Sequence, residues 1–371
     1  PAHHTMPTIL EKIREIEAEM ARTQKNKATN YHLGTLKAKI AKLRTELMEG
    51  PKNAQKGPGE GFDVAKAGDA RVALIGFPSV GKSTLLSTVT NTSSVQAAYE
   101  FTTLTCIPGV IEYNDAKIQL LDLPGIIEGA AKGKGRGRQV IGVARSSDLV
   151  LMMLAAEKAE RQKELLQKEL ETVGIRLNKR KPDITIKRKK TGGVSVTATV
   201  DLTELDEQFV KRICSEYKIH NADVLIREDC SVDELIDVIE GNRVYMPCLY
   251  CINKIDSISL VEMDRLARQP DTIVISIHAK LNMDILLEKI WEYLDFIRIY
   301  TKPRGSKPDF TQPLIYKTGS SIEKVCSGIH KDFVKKFKFG FVWGVSAKHQ
   351  PQRVGISHVL GDEDVVQLMT K

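Results

Sequence analysis

Two kinds of apolar spacing divide this chain into segments of different predicted structure. Over residues 8 to about 49 the apolar positions recur at helical spacing, with a polar interruption at 26–31. This pattern predicts two helices that fold against each other as an N-terminal hairpin. The next stretch, 50–61, is rich in Gly, Pro and Lys and is typical of a flexible linker.

The middle of the chain alternates short apolar runs with longer helical patterns. Strands that alternate with helices predict the α/β class with a doubly wound, mostly parallel sheet. A helix predicted at 283–296 closes this domain. The runs that have the length of buried strands are 72–75, 117–121, 148–154, 247–252 and 272–275.

A separate block interrupts this alternation between residues 171 and 242. It combines β-like alternation with a helix predicted at 202–217 and a second helix after the capping box of Ser231 and Glu234. The block is too long for a loop, so it indicates an inserted α+β subdomain.

The last segment, 298–371, carries strand-like runs around one helix predicted at 321–337, with Ser320 and Glu323 as its capping box. This ββαββ order predicts a small ubiquitin-like sheet of the β-grasp type that packs on a helix. The predicted domains are therefore 1–60, 61–170, 171–242, 243–297 and 298–371.

Length and charge add two constraints. At 371 residues the chain is longer than one hydrophobic core usually serves. Its 55 Lys and Arg exceed its 47 Asp and Glu, which favours a polyanionic partner such as RNA, although a solvated basic surface explains the same count. No apolar run approaches the roughly 20 residues of a membrane span, and we expect neither a membrane nor DNA as a partner.

The six cysteines contain one close pair, Cys248 and Cys251, inside a β-like apolar run. Because no second pair or histidine cluster accompanies it, the pair indicates buried thiols rather than a metal site. Unpaired thiols of this kind predict a reducing compartment.

The most informative motif, GxxxxGKS at 76–83, lies between the first predicted strand and a predicted helix. Its glycines let successive backbone N–H groups turn toward one centre, and the helix N-terminus adds its free amides. Lys82 is predicted to reach the β- and γ-phosphates and the Ser83 hydroxyl to bind Mg²⁺. The predicted phosphate-binding residues are Phe77, Pro78, Ser79, Val80, Gly81, Lys82, Ser83 and Thr84.

Two more segments are predicted to respond to the γ-phosphate. Thr102 and Thr103 lie in a polar loop before a strand, where a threonine can reach both Mg²⁺ and that phosphate. We assign Thr103 to the metal, although the sequence leaves open which of the two binds it.

Asp122 and Gly125 form DxxG, which offers a carboxylate to Mg²⁺ and an N–H to the γ-phosphate. The Gly-rich basic segment 128–138 predicts a second switch. The predicted catalytic set is Lys82, Thr102, Thr103 and Gly125.

A base-recognition motif, NKxD, follows the fourth apolar run as Asn253, Lys254 and Asp256. The Asp256 carboxylate can accept from the ring N1–H and the exocyclic amine of guanine, whereas adenine offers neither donor at that place. Asn253 is predicted to tie this loop to the phosphate loop, and Lys254 to lie over the base. The loop in which a backbone N–H is expected to meet guanine O6 is Ser276, Ile277 and His278.

With these motifs in view, the chain resembles the developmentally regulated GTP-binding (DRG) proteins, a branch of the Obg class of GTPases, and among them the type-1 members. The resemblance covers nearly the whole chain. It is carried by RTQKNKAT at 22–29, GFPSVGKS at 76–83, YEFTTL at 99–104, DLPGIIEG at 122–129 and HVLGDEDVV at 358–366.

This resemblance implies a P-loop GTPase with an N-terminal helix-turn-helix, an insert like domain 2 of ribosomal protein S5, and a C-terminal TGS domain. It also implies slow, Mg²⁺-dependent hydrolysis of GTP to GDP that potassium stimulates. The implied partners are a DRG family regulatory protein, the ribosome and its rRNA, in the cytoplasm. Ser79 stands where several potassium-dependent G domains have an Asn, so K⁺ rests on the resemblance alone.

The residue after DxxG bears on the rate of hydrolysis. Ras-type enzymes have a glutamine there that orients the attacking water, whereas this chain has Ile126, which cannot form hydrogen bonds. The sequence therefore predicts a low intrinsic rate. Two alternatives stay open: an ATPase or kinase, against which NKxD argues, and an RNA-binding or ribosome-binding scaffold whose nucleotide site is mainly structural.

Overall fold

The computed structural model describes residues 8–24, 26, 29–49, 68–89, 108–123, 142 and 144–370. The chain divides into two compact units. Unit 1 comprises 1–62, 125–145 and 164–246, and unit 2 comprises 63–124, 146–163 and 247–371.

The described residues form ten α-helices and sixteen strands. The helices are α1 (Ile9–Arg22), α2 (Asn30–Glu49), α3 (Lys82–Val89), α4 (Ala159–Thr172), α5 (Glu207–Glu216), α6 (Val232–Glu240), α7 (Leu260–Ala267), α8 (Met283–Leu294), α9 (Ile322–Ile329) and α10 (Lys331–Lys336). The first eight strands are β1 (Ala70–Gly76), β2 (Pro108–Tyr113), β3 (Ala116–Asp122), β4 (Leu149–Ala155), β5 (Ile175–Leu177), β6 (Ile184–Arg188), β7 (Val194–Ala198) and β8 (Ala222–Ile226). The others are β9 (Val244–Met246), β10 (Cys248–Asn253), β11 (Thr272–Val274), β12 (Phe296–Thr301), β13 (Asp309–Lys317), β14 (Phe337–Trp343), β15 (Gln352–Val354) and β16 (Asp364–Thr370).

Unit 2 is built on a six-stranded sheet with the order β11-β10-β4-β1-β3-β2. All neighbouring pairs are parallel except β2 and β3 at one edge. A parallel sheet is covered on both faces, so its central strands are continuously apolar; all seven residues of β1 are buried. Helices α3 and α8 contribute leucines and an isoleucine to the core of this sheet. The predicted doubly wound, mostly parallel α/β sheet is confirmed.

The C-terminal part of unit 2 forms a five-stranded sheet with the order β13-β12-β16-β14-β15. Its central pair, β12 and β16, is parallel and the other pairs are antiparallel. Helix α9 packs Ile322, Val325 and Cys326 on one face of this sheet, against residues such as Ile299 and Val342. This arrangement confirms the predicted β-grasp domain.

Unit 1 contains the N-terminal hairpin and the whole of the predicted insert. A three-stranded sheet, β6-β8-β7, and helices α5 and α6 surround a core that includes Phe209, Ile213 and Leu235. Ala38 of α2 lies in the same core, and the ring centroids of Tyr31 and Phe209 are 4.7 Å apart. The helical hairpin therefore shares one hydrophobic core with the inserted α+β block.

Two predicted helices have different bounds in the structure. The helix predicted from residue 202 begins only at Glu207, because Asp229 accepts hydrogen bonds from the Thr203 N–H at 3.0 Å and its hydroxyl at 2.7 Å. The cap is Asp206, whose carboxylate accepts from the Phe209 N–H at 2.7 Å. The helix predicted to reach 296 ends at Leu294, and the chain enters β12 at once.

The single helix predicted at 321–337 is wrong, because His330 has extended backbone that separates α9 from α10. The predicted capping box of Ser320 and Glu323 is also wrong. The Ser320 hydroxyl instead donates to the Lys317 carbonyl. The first N–H groups of α9 are satisfied by the backbone carbonyls of Ile356 and His358, at 2.9 and 3.0 Å. A partner distant in sequence thus replaces the local cap.

Both thiols of the Cys248 and Cys251 pair are fully buried, and burial raises the pKa of each. No helix within the described ranges has both the length and the apolar character needed to cross a membrane.

Candidate functional site

The candidate site lies in unit 2, where β1 ends at Gly76 and α3 begins at Lys82. Ser79 and Gly81 both have positive φ, 63° and 101°, so the backbone curls between strand and helix as the motif predicts. A Cβ atom at Gly76 would lie 2.5 Å from the Met153 carbonyl oxygen, and one at Gly81 would lie 2.5 Å from Asn253 Nδ2. Close neighbours therefore require glycine at both positions, and at Gly81 the backbone conformation requires it as well.

Lys82 is held at the base of this loop. Its Nζ donates to the carbonyl oxygens of Gly76 and Phe77, at 2.9 and 3.1 Å. Burial lowers the pKa of Lys82, and the nearby Asp122 carboxylate opposes that shift. The ammonium group is thus positioned inside the loop by the same backbone that curls around it.

Asp122 ends β3 and pairs in register with Leu74 of β1. Its Oδ1 atom is buried and has no hydrogen-bond partner among the described residues. Burial raises the pKa of this carboxyl, and the Lys82 ammonium partly counters the shift. A buried oxygen without a partner is costly unless a ligand satisfies it.

A magnesium ion fits this donor set. Carboxylate and hydroxyl oxygens are the ligands that Mg²⁺ prefers, and it uses few protein ligands beside those of a phosphate substrate. Asp122 supplies the unpartnered carboxylate oxygen, and the exposed Ser83 supplies a hydroxyl in the first turn of α3. Both predicted ligands thus have oxygen donors suited to Mg²⁺, and their binding of the ion stays a prediction.

Asn253, at the end of β10, connects three loops. Its Nδ2 donates to the Val80 carbonyl at 2.8 Å, and its Oδ1 accepts from the Ile277 N–H at 3.2 Å. The side chain is buried, so these bonds are shielded from water. Asn253 therefore fixes the phosphate loop relative to both predicted base-recognition loops.

Asp256 is exposed and is oriented by a residue of the next loop. The Ser276 hydroxyl donates to Asp256 Oδ1 at 2.6 Å, and Ser276 Oγ accepts from the Ala279 N–H at 3.1 Å. The hydrogen bond from Ser276 is the main reason that the pKa of Asp256 lies below its ordinary value. The carboxylate is therefore ionised and held in one orientation.

The loop expected to meet guanine O6 is partly committed to the protein itself. The Ser276 N–H donates to the Leu281 carbonyl and the Ile277 N–H to Asn253. The Ile277 side chain is buried in the sheet core, whereas His278 is exposed. Within the part of the chain that the structure describes, no acceptor is found for the His278 N–H.

The structure thus brings together the phosphate loop, Asp122, NKxD and the 276–278 loop at the carboxyl ends of neighbouring strands. Lys254 is exposed in this group, with φ of 68°. Pro78 and Thr84 are exposed as well, in the phosphate loop and the first turn of α3. Thr102, Thr103, Gly125 and the segment 128–138 lie outside the described residues, so their roles stay predictions.

Sequence reasoning missed the bond between Ser276 and Asp256. The two residues are 20 positions apart, and no local pattern links a serine to a carboxylate at that distance. It also missed the need for Gly76 to accommodate the Met153 carbonyl, which comes from the neighbouring strand β4.

Three family models match consecutive parts of the chain. A model described as 50S ribosome-binding GTPase (MMR_HSR1) matches residues 71–189, and one described as the C-terminal region of the MMR_HSR1 domain matches 191–296. A TGS domain model matches residues 297–370, the C-terminal five-stranded sheet.

Curated relatives match over almost the full length. Developmentally-regulated GTP-binding protein 2 of Bos taurus is 65% identical over 363 residues, which are 98% of this chain and 100% of that protein. The Developmentally-regulated GTP-binding protein 1 homolog of Dictyostelium discoideum is 60% identical, with coverage of 98% and 100%. Of these two relatives, the type-2 protein has the higher identity to this chain. The comparison therefore does not favour the predicted assignment to the type-1 members.

Among solved structures, the YchF GTPase of Schizosaccharomyces pombe is 14% identical, with a TM-score of 0.47 and coverage of 82% of this chain and 99% of that one. That likeness is too weak to bear on the site. The full-length relatives, the GTPase and TGS matches and the geometry of the loops agree, and the chain belongs to the developmentally regulated GTP-binding protein family, a GTP-binding class of GTPases.

Proposed function

We propose that this protein hydrolyses GTP to GDP and phosphate at a low intrinsic rate and acts as a ribosome-associated switch in translation. The observation that carries the proposal is the double contact of Asn253, which joins Val80 of the phosphate loop to Ile277. One buried side chain thereby fixes the distance between a triphosphate site and a base site.

In this proposal the phosphates lie against the curled backbone between Gly76 and Lys82. Lys82 exchanges its two carbonyl contacts for the β- and γ-phosphates, because charged oxygens are stronger acceptors. Ser83 and Asp122 would hold Mg²⁺, with Thr103 as a third predicted ligand. When bound, the ion neutralises charge on the phosphate oxygens. Potassium, which the family resemblance implies, is part of the proposal without a site assigned to it.

The base is proposed to be guanine. An ionised Asp256, held by Ser276, can accept from two guanine donors at once. The N–H proposed for O6 is that of His278, since those of Ser276, Ile277 and Ala279 already have acceptors. Adenine would leave both the Asp256 carboxylate and the His278 N–H without a matching partner. This supports GTP rather than ATP as the substrate.

The ribosomal part of the proposal depends on three observations. The model that matches residues 71–189 describes a ribosome-binding GTPase, the relatives match 98% of the chain, and the formal net charge is +8. A basic protein is attracted to RNA whatever its sequence. A cytoplasmic location and a DRG family regulatory protein as a stabilising partner follow from the family resemblance.

The experiment exchanges the base-recognition carboxylate. In Asp256→Asn an amide donor replaces an acceptor, so binding of fluorescent GDP by the full chain should weaken by about 100-fold or more, whereas xanthosine diphosphate, with a carbonyl in place of the amine, should bind better. Asp264→Asn is the matched control, because it changes an exposed aspartate of α7 whose carboxylate pairs with Arg268 at the end of that helix. Equal loss in both variants, or equal competition by ATP and GTP, would contradict the proposed base site.

The alternative is a scaffold that binds RNA or ribosomes with a mainly structural nucleotide site. Lys82→Ala separates the two, since it should abolish GTP turnover and weaken nucleotide binding. Unchanged function of that variant in translation would favour the scaffold.

A further inference from the structure

Two buried arginines of unit 1 share one carboxylate. Arg176 of β5 donates from Nε and Nη2 to the two carboxylate oxygens of Asp237, at 2.6 and 2.7 Å. Arg243 donates from Nε to Asp237 Oδ1 at 3.0 Å. The side chains of Arg176, Arg243 and Asp237 are 15%, 7% and 4% exposed. Two buried positive charges therefore face a single negative charge.

A third guanidinium group adds to this excess. A Cβ atom at Gly174 would lie 2.9 Å from Arg243 Nη1 and 3.2 Å from Arg145 Nη2, so both guanidinium groups flank the same small space. Burial, and then the charge of Arg243, lowers the pKa of Arg145. Among the described residues, the Arg145 guanidinium donates to the Val173 carbonyl at 2.9 Å, and its buried Nε has no acceptor. Buried positive charge without a matching negative charge is costly.

A second buried donor without a partner lies beside these arginines. Tyr245 pairs in register with Arg176 across β5 and β9, and paired positions place their side chains on one face of a sheet. The Tyr245 hydroxyl is buried and has no hydrogen-bond partner in the part of the chain that the structure describes. Burial raises its pKa to about 12, so it remains a donor at neutral pH. This part of unit 1 therefore lacks acceptors rather than donors.

The same arginines line a cavity between the N-terminal hairpin and α6. Its volume is about 280 Å³, close to the lower end of small-molecule sites. Arg176 and Arg243 contribute to its wall from the insert, and Arg44 of α2 contributes from the hairpin. The apolar part of the wall includes Met20, Ile40 and Ile236. A small ligand would thus meet guanidinium groups on one side and apolar side chains on the other.

The other acids of the cavity do not remove the positive excess. Glu17 pairs with Arg44 at 2.8 Å, and Asp233 pairs with Lys37 at 2.6 Å. The side chains of Glu17, Asp233 and Glu171 are about half-exposed, so water and salt screen their charges. An anion is therefore the ligand whose charge fits the buried wall, whereas a cation would add to the repulsion.

We propose that this cavity binds a small oxoanion, a phosphate group that is either free or part of a small molecule. Arg243 and Arg176 hold it from the insert and Arg44 holds it from the hairpin, because guanidinium groups bind phosphate oxygens through paired, charge-assisted hydrogen bonds. The cavity belongs to unit 1, whereas the phosphate loop and NKxD belong to unit 2. Because its arginines come from two blocks of the sequence, a bound anion ties the hairpin to the insert.

The test is equilibrium dialysis of radiolabelled inorganic phosphate against the full chain. The protein is saturated with Mg²⁺ and a non-hydrolysable GTP analogue, which fills the phosphate loop, and a single phosphate per chain should still bind. Arg44→Gln should weaken this binding by about 3- to 20-fold, because it removes a charge-assisted hydrogen bond at a partly exposed position. Arg188→Gln is the matched control, since it removes an exposed arginine of β6 that does not line the cavity.

Asp237→Asn should have an effect of the opposite sign. It removes the buried carboxylate that competes with the anion for Arg176 and Arg243, so phosphate should bind about tenfold more tightly. Arginines that serve only to pair with Asp237 would give this variant no gain in phosphate affinity, and that result would contradict the proposal. Should Asp237→Asn fail to fold, the comparison of Arg44→Gln with Arg188→Gln decides alone.

Phenyl phosphate, used as a competitor, identifies the source of the anion. Tighter binding of this ester than of inorganic phosphate assigns the cavity to a small molecule that carries a phosphate, with its apolar part against Ile40 and Ile236. Equal or weaker binding of the ester assigns the cavity to free phosphate, and both results support the proposal.

Two results would overturn it: no phosphate bound by the protein saturated with the GTP analogue, or equal phosphate affinity in Arg44→Gln and Arg188→Gln. Binding of fluorescent GDP, measured in parallel, should be the same in these two variants. A failure of the anion site therefore leaves the proposed nucleotide site unaffected.

Discussion

Asn253 is the residue on which the candidate site depends most. The sequence motif assigns it to the neighbourhood of the base, and the structure gives it two buried partners in different loops. Removing the side chain would leave a buried carbonyl at Val80 and a buried N–H at Ile277 without partners, at a cost of about 1–3 kcal/mol each. Its neighbour Gly81 is constrained by the same contact.

Gly81→Ala should therefore disrupt the site without a change of charge. A methyl group would lie 2.5 Å from Asn253 Nδ2, and the φ of 101° is unfavourable for alanine. We expect at least about tenfold weaker GDP binding, because the strain and the lost contact each amount to about 1–3 kcal/mol.

Fluorescent-GDP titration measures that effect, and Gly355→Ala is its control, since a Cβ there meets nothing within 4 Å. Similar GDP affinities in the two variants would show that the Asn253 contact does not set the loop.

A second prediction at the scale of single residues concerns Ile126. It rests on the sequence alone, since Ile126 lies outside the described residues. A side chain that cannot hydrogen-bond does not orient water, so Ile126→Ala should leave the basal GTPase rate within a few-fold. Single-turnover hydrolysis of GTP measures the rate, with Lys82→Ala as the reference for a lost site. A loss as large as that of Lys82→Ala would contradict the prediction.

At the scale of elements, helix ends decide where predicted and observed bounds agree. Helix α1 begins after Thr8 with a complete capping box with Glu11, and α6 does so after Ser231, both recognisable from local sequence. Helices α5 and α9 differ from prediction because distant groups, Asp229 and the carbonyls of 356–358, satisfy the backbone there. Local patterns cannot reveal such partners.

Asp206, the N-cap of α5, makes the stability of the fold depend on pH. Hydrogen bonds from the Tyr31 hydroxyl and then from the Phe209 N–H lower the pKa of Asp206 below its ordinary value. A depressed carboxyl pKa stabilises the fold above the unfolded-state value of about 3.9, and the stabilisation is lost as pH falls through the folded pKa.

Asp206→Ala should accordingly lower the free energy of unfolding by about 0.5–2 kcal/mol at pH 7, as for other N-caps. The deficit relative to wild type should stay constant down to about pH 5 and shrink below pH 4, as the wild-type carboxylate is protonated. Urea unfolding followed by circular dichroism at each pH measures it. If the deficit grew toward low pH, the pH dependence would have the opposite sign to the one that a lowered pKa of Asp206 requires, and this would contradict the argument.

At the scale of the whole molecule, packing combines segments that are far apart in sequence. The N-terminal hairpin and the insert are separate blocks in the sequence, yet α2 packs on α5 and α6 around Ala38 and Phe209. Lys37 pairs with Asp233 at 2.6 Å, and the Thr45 hydroxyl donates to Glu240 at 2.9 Å. Gly34 lies at the closest point, since a Cβ there would be 2.2 Å from the Phe209 ring.

Gly34→Ala should for that reason destabilise the protein. On an exposed helix face the change stabilises by about 1 kcal/mol, but here overpacking against Phe209 should cost about 1–3 kcal/mol. Thermal and urea unfolding measure the difference, with Lys39→Ala on the exposed side of α2 as control. A more stable Gly34→Ala protein would show that the hairpin does not pack on the insert in solution.

The sequence by itself determined the α/β class, the order of the strands along the chain, the β-grasp module and the residue types of the phosphate, metal and base motifs. It could do so because apolar period, glycine spacing and strand-loop-helix order are local properties. Only the tertiary structure decided that Ser276 orients Asp256, that Asn253 joins three loops, that the hairpin and insert share a core, and that Arg176 pairs with the buried Asp237. Each of these depends on contacts between residues distant in the chain, which form only when whole elements pack and which no local pattern encodes.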